Sequence, residues 1–201
     1  MLFLVKESVF NSITPQFTKL CAVRRLFASA NTARGYVHHL DSILQDVRKL
    51  YLLRGETGTG KAGFLTALYY EAVNRGIDLE VFHCPFQPTR IELLYLPQPA
   101  IGFLRVDEPL VYESVNLHSL QVRRELNFNQ CLKTKELSFY QQEKKEAKKR
   151  LLFLRNEAWN KLKMAKVYHD QLEKLYFPAM NFEDVNRKRE ELISEILSAL
   201  T

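Results

Sequence analysis

The 201-residue sequence predicts an α/β protein: a mostly parallel sheet flanked by helices, followed by a C-terminal α-helical hairpin. Three observations lead there. Apolar runs of strand length alternate with stretches at helical spacing between Arg24 and Val106. One of these runs stops at a glycine-rich turn that opens directly into a helix. From about Lys133 onward there is no glycine, and apolar residues recur in steps of three and four. Hydrophobic residues at 46% and charged residues at 26% are globular proportions, and they exclude disordered, collagen-like and mucin-like chains.

Residues 1 to 22 are weakly patterned, with Asn11, Ser12 and Pro15 interrupting any helix, and are expected to be a leader, a linker remnant or a docking segment. The apolar opening is five residues long with no cleavage pattern behind it. It is therefore expected to be neither a signal peptide nor a membrane span. A nucleotide-binding core is expected over 23–132 and the helical appendage over 133–201. Arg24 to Ser29 is expected as a short strand, Asn31-Thr32 as a turn, and Tyr36 to Val47 as a short helix. Lys49 to Arg54 is a compact apolar strand ending at Gly55. After the glycine turn, Phe64, Leu65, Leu68, Ala72 and Val73 mark a helix that Gly76 can stop in the left-handed conformation. Leu79 to Cys84, Ile91 to Leu96 and Ile101 to Val106 are the remaining expected strands, the last two separated by Pro97-Gln-Pro99. Apolar positions from Ala147 to Leu175 then predict a helix of about ten turns. Phe177-Pro178 stops it, and Asn181 can cap a second helix, as an antiparallel hairpin would require.

The chemistry concentrates in Gly55-Glu-Thr-Gly58-Thr-Gly60-Lys61. A Gly-x4-Gly-Lys turn between strand and helix wraps backbone N–H groups around phosphate oxygens, and glycine permits the positive φ values that such a nest requires. Lys61 opens the helix and adds its ammonium group to the partial positive charge of the helix N-terminus. Gly55, Glu56, Thr57, Gly58, Thr59, Gly60, Lys61 and Ala62 are thus the expected phosphate-contacting segment of an ATP (or GTP) site. The residue after the lysine should offer Mg²⁺ a hydroxyl, and here Ala62 and Gly63 offer none, so a weakened Mg²⁺ site with slow or absent hydrolysis is expected. Asp107 and Glu108 end the Ile101 strand. Asp107 is the expected metal-holding carboxylate and Glu108 the expected water-polarising one.

These segments resemble a family of uncharacterised P-loop ATPase-like proteins of spore-forming Firmicutes, built as two tandem nucleotide-binding halves. The carriers are Arg25-Leu-Phe-Ala-Ser-Ala-Asn-Thr32, Leu40-Asp-Ser42, Tyr51 to Lys61, Val81-Phe-His-Cys84 and Asn181-Phe-Glu-Asp-Val185. The resemblance spans about Arg24 to Leu197 and is to the second half, which implies a missing or separate companion half, or a homo-oligomer. It supports Gly55, Gly60, Lys61 and Asp107 as site residues. Two departures stand out: Ala62 where the family has Ser, and Asp107-Glu-Pro-Leu-Val-Tyr112 where it has Asp-x-Thr-x-Pro-His.

Other features have plainer readings. Cys21, Cys84 and Cys131 form no paired motif, which fits a reducing cytoplasm. His83-Cys84 is expected to line the site or be buried, and His38-His39 to lie on a helix. The net charge of +6 suits an anionic ligand or nucleic acid. The basic stretch Glu143 to Arg150 alternates acids with bases, however, as a solvated helix face does, so nucleic acid is not the expected partner. Trp159, Tyr168 and Tyr176 are expected as packing residues. Arg123-Arg124 is a poor substitute for the arginine-rich lid of a nucleotide kinase. A non-catalytic scaffold or interaction protein with a decayed loop, and a nucleic-acid-binding module using the basic helix, are the alternatives from other classes.

Overall fold

A computed structural model describes Val5, Glu7, Val9, Phe10 and residues 21–107 and 121–200. Its centre is a six-stranded sheet in the order β1-β5-β6-β7-β4-β8. The strands are β1 (Val23–Leu26), β4 (Lys49–Arg54), β5 (Leu79–Cys84), β6 (Gln87–Leu96), β7 (Ile101–Arg105) and β8 (Val122–Asn127), while β2 (Ser29–Thr32) and β3 (Gly35–His38) form a separate antiparallel hairpin. Five strands run the same way and β6 alone is reversed, because β1 pairs parallel with β5, and β4 with β7 and β8, while β6 is antiparallel to both neighbours.

The central strands are mostly apolar on both faces because both faces of the sheet are covered. Side chains alternate: Tyr51 and Leu53 point into the core beneath α1 (Lys61–Asn74), while Leu50 and Leu52 join Leu40, Leu44 and Val47 on the opposite face. Phe103 and Leu104 divide in the same way, and the Tyr51 and Phe103 rings stack at 4.8 Å. Val5, Val9 and Phe10 are buried in the first of these cores, with Arg75 over the Phe10 ring. That part of the first 22 residues therefore belongs to the packed domain. As expected, α1 ends at a left-handed Gly76 (φ 68°), with the Ile77 amide returning to the Ala72 carbonyl.

Three expected elements differ. The strand expected over Arg24–Ser29 divides into β1 and β2, and Asn31-Thr32 lies in β2 rather than in a turn. The helix expected over Tyr36–Val47 is mostly absent: Gly35–His38 is β3, and only Leu40–Ile43 is helical. Burial of a polar cluster accounts for this. Glu92, 5% exposed on β6, accepts from Ser29 Oγ (2.6 Å) and Tyr36 Oη (2.9 Å), which pins the hairpin to the sheet. Burial first, and then the charge of Glu92, push the Tyr36 hydroxyl above its ordinary pKa. Arg123 and Arg124 lie in β8, an edge strand whose charged side chains discourage pairing with another chain.

Beyond β8, α2 (Gln141–Tyr176) runs for 36 residues, about 54 Å at 1.5 Å per residue, and α3 (Phe182–Ala199) follows. The Asn181 side chain caps α3 by accepting from the Glu183 and Asp184 amides. The expected packed hairpin does not form. Neither helix has a fully buried residue, and Leu172, Leu175, Leu192, Ile196 and Leu197 are all exposed, so α3 does not pack back along α2. The middle of α2 touches the α/β domain, where Trp159 donates to Asn31 in β2 at 3.1 Å. Among the described residues, no helix is long and apolar enough to cross a membrane.

Candidate functional site

Strands β4 and β7 are neighbours, and their carboxyl ends carry Gly55 and Asp107 side by side. The crevice beyond the carboxyl ends of such strands is where open α/β sheets bind ligands. Here it is a cavity of about 330 Å³ lined by Thr57, Gly58, Thr59, Gly60, Lys61, Ala62, Gly63, Arg90, Arg105 and Asp107.

Its floor is the glycine turn. Gly55, Gly58 and Gly60 take φ values of 145°, 89° and 92°, a region that L-residues with side chains rarely adopt. At Gly55 a Cβ would also lie 3.0 Å from Phe128 Cβ, because the 3-10 turn Phe128–Cys131 packs against the start of the loop. From that turn Asn129 Oδ1 accepts from the Glu56 amide at 2.8 Å. The Phe64 and Phe128 rings meet edge to face on the other side of the same contact. The Thr59 amide donates within the turn to the Glu56 carbonyl. In contrast, the amides of Gly60, Lys61, Ala62 and Gly63 have no acceptor among the described residues. They form the open N-terminal end of α1, where partial positive charge collects.

Lys61 is 3% exposed. Its Nζ donates to the Gly55 and Glu56 carbonyls at 2.6 and 2.7 Å and to Thr59 Oγ1 at 3.2 Å, and lies 3.0 Å from Asp107 Oδ1. The ammonium thus lies over the turn and is not directed into solvent. Asp107 is held from both sides, its Oδ2 being 2.8 Å from Nε of Arg105, itself 8% exposed at the end of β7. Arg105 also reaches the Ile91 carbonyl. Its Nε and Asp107 Oδ1 lack aligned hydrogen-bond partners, so these are charge contacts with bonding capacity to spare. Among the described residues, three lining cations, Lys61, Arg90 and Arg105, face one lining carboxylate, Asp107. Such a cavity attracts an anion.

The structure therefore brings together Gly55, Thr57, Gly58, Thr59, Gly60, Lys61, Ala62 and Asp107. The Glu56 side chain turns away to Lys144 of α2 at 3.4 Å, and Glu108 lies outside the described residues. The residues present do not fit Mg²⁺. Ala62 has no side-chain oxygen, Thr59 Oγ1 is committed to the Glu56 carbonyl and Lys61, Thr66 Oγ1 bonds the Ala62 carbonyl, and both Asp107 oxygens face cations. Mg²⁺ is usually held by one or two protein carboxylates together with waters and substrate phosphates, and the carboxylate lining this cavity is already paired with two cations.

His83 and Cys84 do not line the cavity. They sit on β5, with β6 and β7 between it and β4, and His83 contacts Arg25 of the edge strand β1. His38 lies in β3, not on a helix. His169, Asp170 and Glu173 cluster on exposed α2, where Asp170 pairs with Lys166 as an ordinary helix-surface acid does. Arg90, Arg105 and Asn129 are site residues that the sequence pattern did not disclose. No family model, no curated protein and no solved structure matches the chain.

Proposed function

We propose that the protein binds the phosphates of a nucleoside triphosphate, ATP as the working ligand, over the Gly55–Lys61 turn, with little or no turnover. The observation that carries this reading is Lys61, a buried ammonium at the opening turn of a helix whose first amides lack acceptors. The turn, its positive-φ glycines and the carboxylate on the adjacent strand are the parts of a phosphate loop. Phosphate oxygens would take the free amides, and Lys61 would exchange part of its contact with the loop carbonyls for them. Slow turnover follows from Ala62, because nothing in its place positions an ion to neutralise transition-state charge.

Replacing Lys61 by Ala should lower the affinity for a fluorescent ATP analogue at least about tenfold, the value of one charge-assisted contact. Unchanged binding would contradict the proposal. Brisk Mg²⁺-dependent hydrolysis by the unaltered protein would contradict slow turnover.

The exposed apolar faces of α2 and α3 favour an interaction role alongside binding. In that role the arm would meet a companion nucleotide-binding half or a second copy of the chain, and Glu56–Lys144 would link it to the loop. A purely scaffolding protein with an inert loop is the competing reading, and indifference to Lys61→Ala is what it requires.

A further inference from the structure

We propose that this cavity takes its phosphate ligand without a metal ion, Arg105 and Arg90 supplying the positive charge that a divalent cation would otherwise bring. The inference rests on the nucleotide reading and adds the ionic form of the ligand and the groups that select it. Where a metal-dependent site needs a hydroxyl at its floor, this one has the methyl group of Ala62. Its carboxylate is already neutralised from both sides, by Lys61 at 3.0 Å and Arg105 at 2.8 Å. A divalent ion entering beside Asp107 would meet two fixed cations at contact distance, and no second carboxylate lines the cavity among the described residues.

An anion meets the reverse situation. Arg105 stands at the end of an otherwise apolar strand and lines the cavity, more than nine-tenths buried, with its buried Nε short of an aligned acceptor. Burying a guanidinium is costly unless its donors are used, and a phosphate oxygen is an acceptor that its planar fork matches. Arg90, on the neighbouring strand β6, adds an exposed cation at the rim. Asp107 then acts as an internal stand-in for the ligand. It keeps Lys61 and Arg105 paired until phosphate displaces it, and it does not act as a metal ligand.

The two roles of Asp107 predict opposite signs, which gives the test. Binding of a fluorescent ATP analogue, with inorganic tripolyphosphate as competitor, is measured on the full chain in excess EDTA and again in excess Mg²⁺. Affinity in EDTA should equal or exceed that in Mg²⁺. Asp107→Asn should tighten binding in EDTA several-fold, whereas Arg105→Gln should weaken it about tenfold or more, as loss of a charge-assisted phosphate contact does. Since Arg105 is buried, Arg90→Gln serves as the second variant and should also weaken metal-free binding without altering the melting temperature. Binding that appears only with Mg²⁺, or is abolished by Asp107→Asn, overturns this inference and leaves the nucleotide site standing. Binding in neither condition removes both.

Discussion

Lys61 has four oxygen neighbours and only three protons to donate. The contact that is not an aligned hydrogen bond is the one to Asp107. The lysine thus staples the turn to itself, so a ligand competes with two carbonyls and does not enter an empty shell. A different polar group fixes the neighbouring hairpin. Tyr36 donates to buried Glu92 and has its pKa raised above the ordinary value near 10. In the folded protein the protonated phenol is favoured, so this group's contribution is complete below pH 10 and falls as pH rises beyond it, by at most about 1.4 kcal/mol per unit. Tyr36→Phe should cost about 1 kcal/mol at pH 8, the value of one hydrogen bond, and the deficit should shrink between pH 10 and 11. Urea midpoints against pH check this, and a constant deficit would show that Tyr36 does not titrate as described. At this scale Lys61 and the glycines were legible because their spacing is local. Arg105, Arg90 and Asn129 were not. Their place at the cavity depends on strand register and on a turn 73 positions away from the loop.

Among the elements, those the sequence marked most clearly carry apolar residues on both faces or at one sharp period. Strand β4, helix α1 and helix α2 form where their apolar spacing places them. The β2–β3 hairpin was hidden because Val37, Leu40, Ile43 and Leu44 also satisfy helical spacing. A buried carboxylate on a strand more than fifty residues away decides against the helix. Strand β8 was hidden by its charges, since an edge strand buries little. Helix α2 is fastened to the domain through Trp159, whose Nε1 donates to Asn31. The chain contains one tryptophan, so its fluorescence reports on this contact alone. Asn31→Ala should red-shift the emission and increase quenching by acrylamide with helicity unchanged, for a loss of about 1 kcal/mol. Unaltered quenching would show that the helix is not held there.

For the molecule as a whole, a small α/β domain buries its apolar surface well, while a long arm does not. The arm's leucines and isoleucines repeat as a packing stripe should. Sequence periodicity therefore announced a hairpin, although α3 leaves the end of α2 without covering it. Periodicity reports that a face is apolar, and what covers that face is a separate question. The domain presents a net positive cavity at the carboxyl ends of β4 and β7, braced by Asn129 and tied to the arm through Glu56 and Lys144. The central claim is that this cavity is an anion site. Thermal melting of the unaltered protein and of Lys61→Ala, each with and without ATP at a hundredfold excess over the dissociation constant, tests it most directly. The site should add about 2.7 kcal/mol, raising the unaltered protein's melting temperature by about 5–10 °C and that of the variant, with its at least about tenfold lower affinity, by no more than about half as much. Superimposable melting curves for the unaltered protein with and without ATP would contradict it.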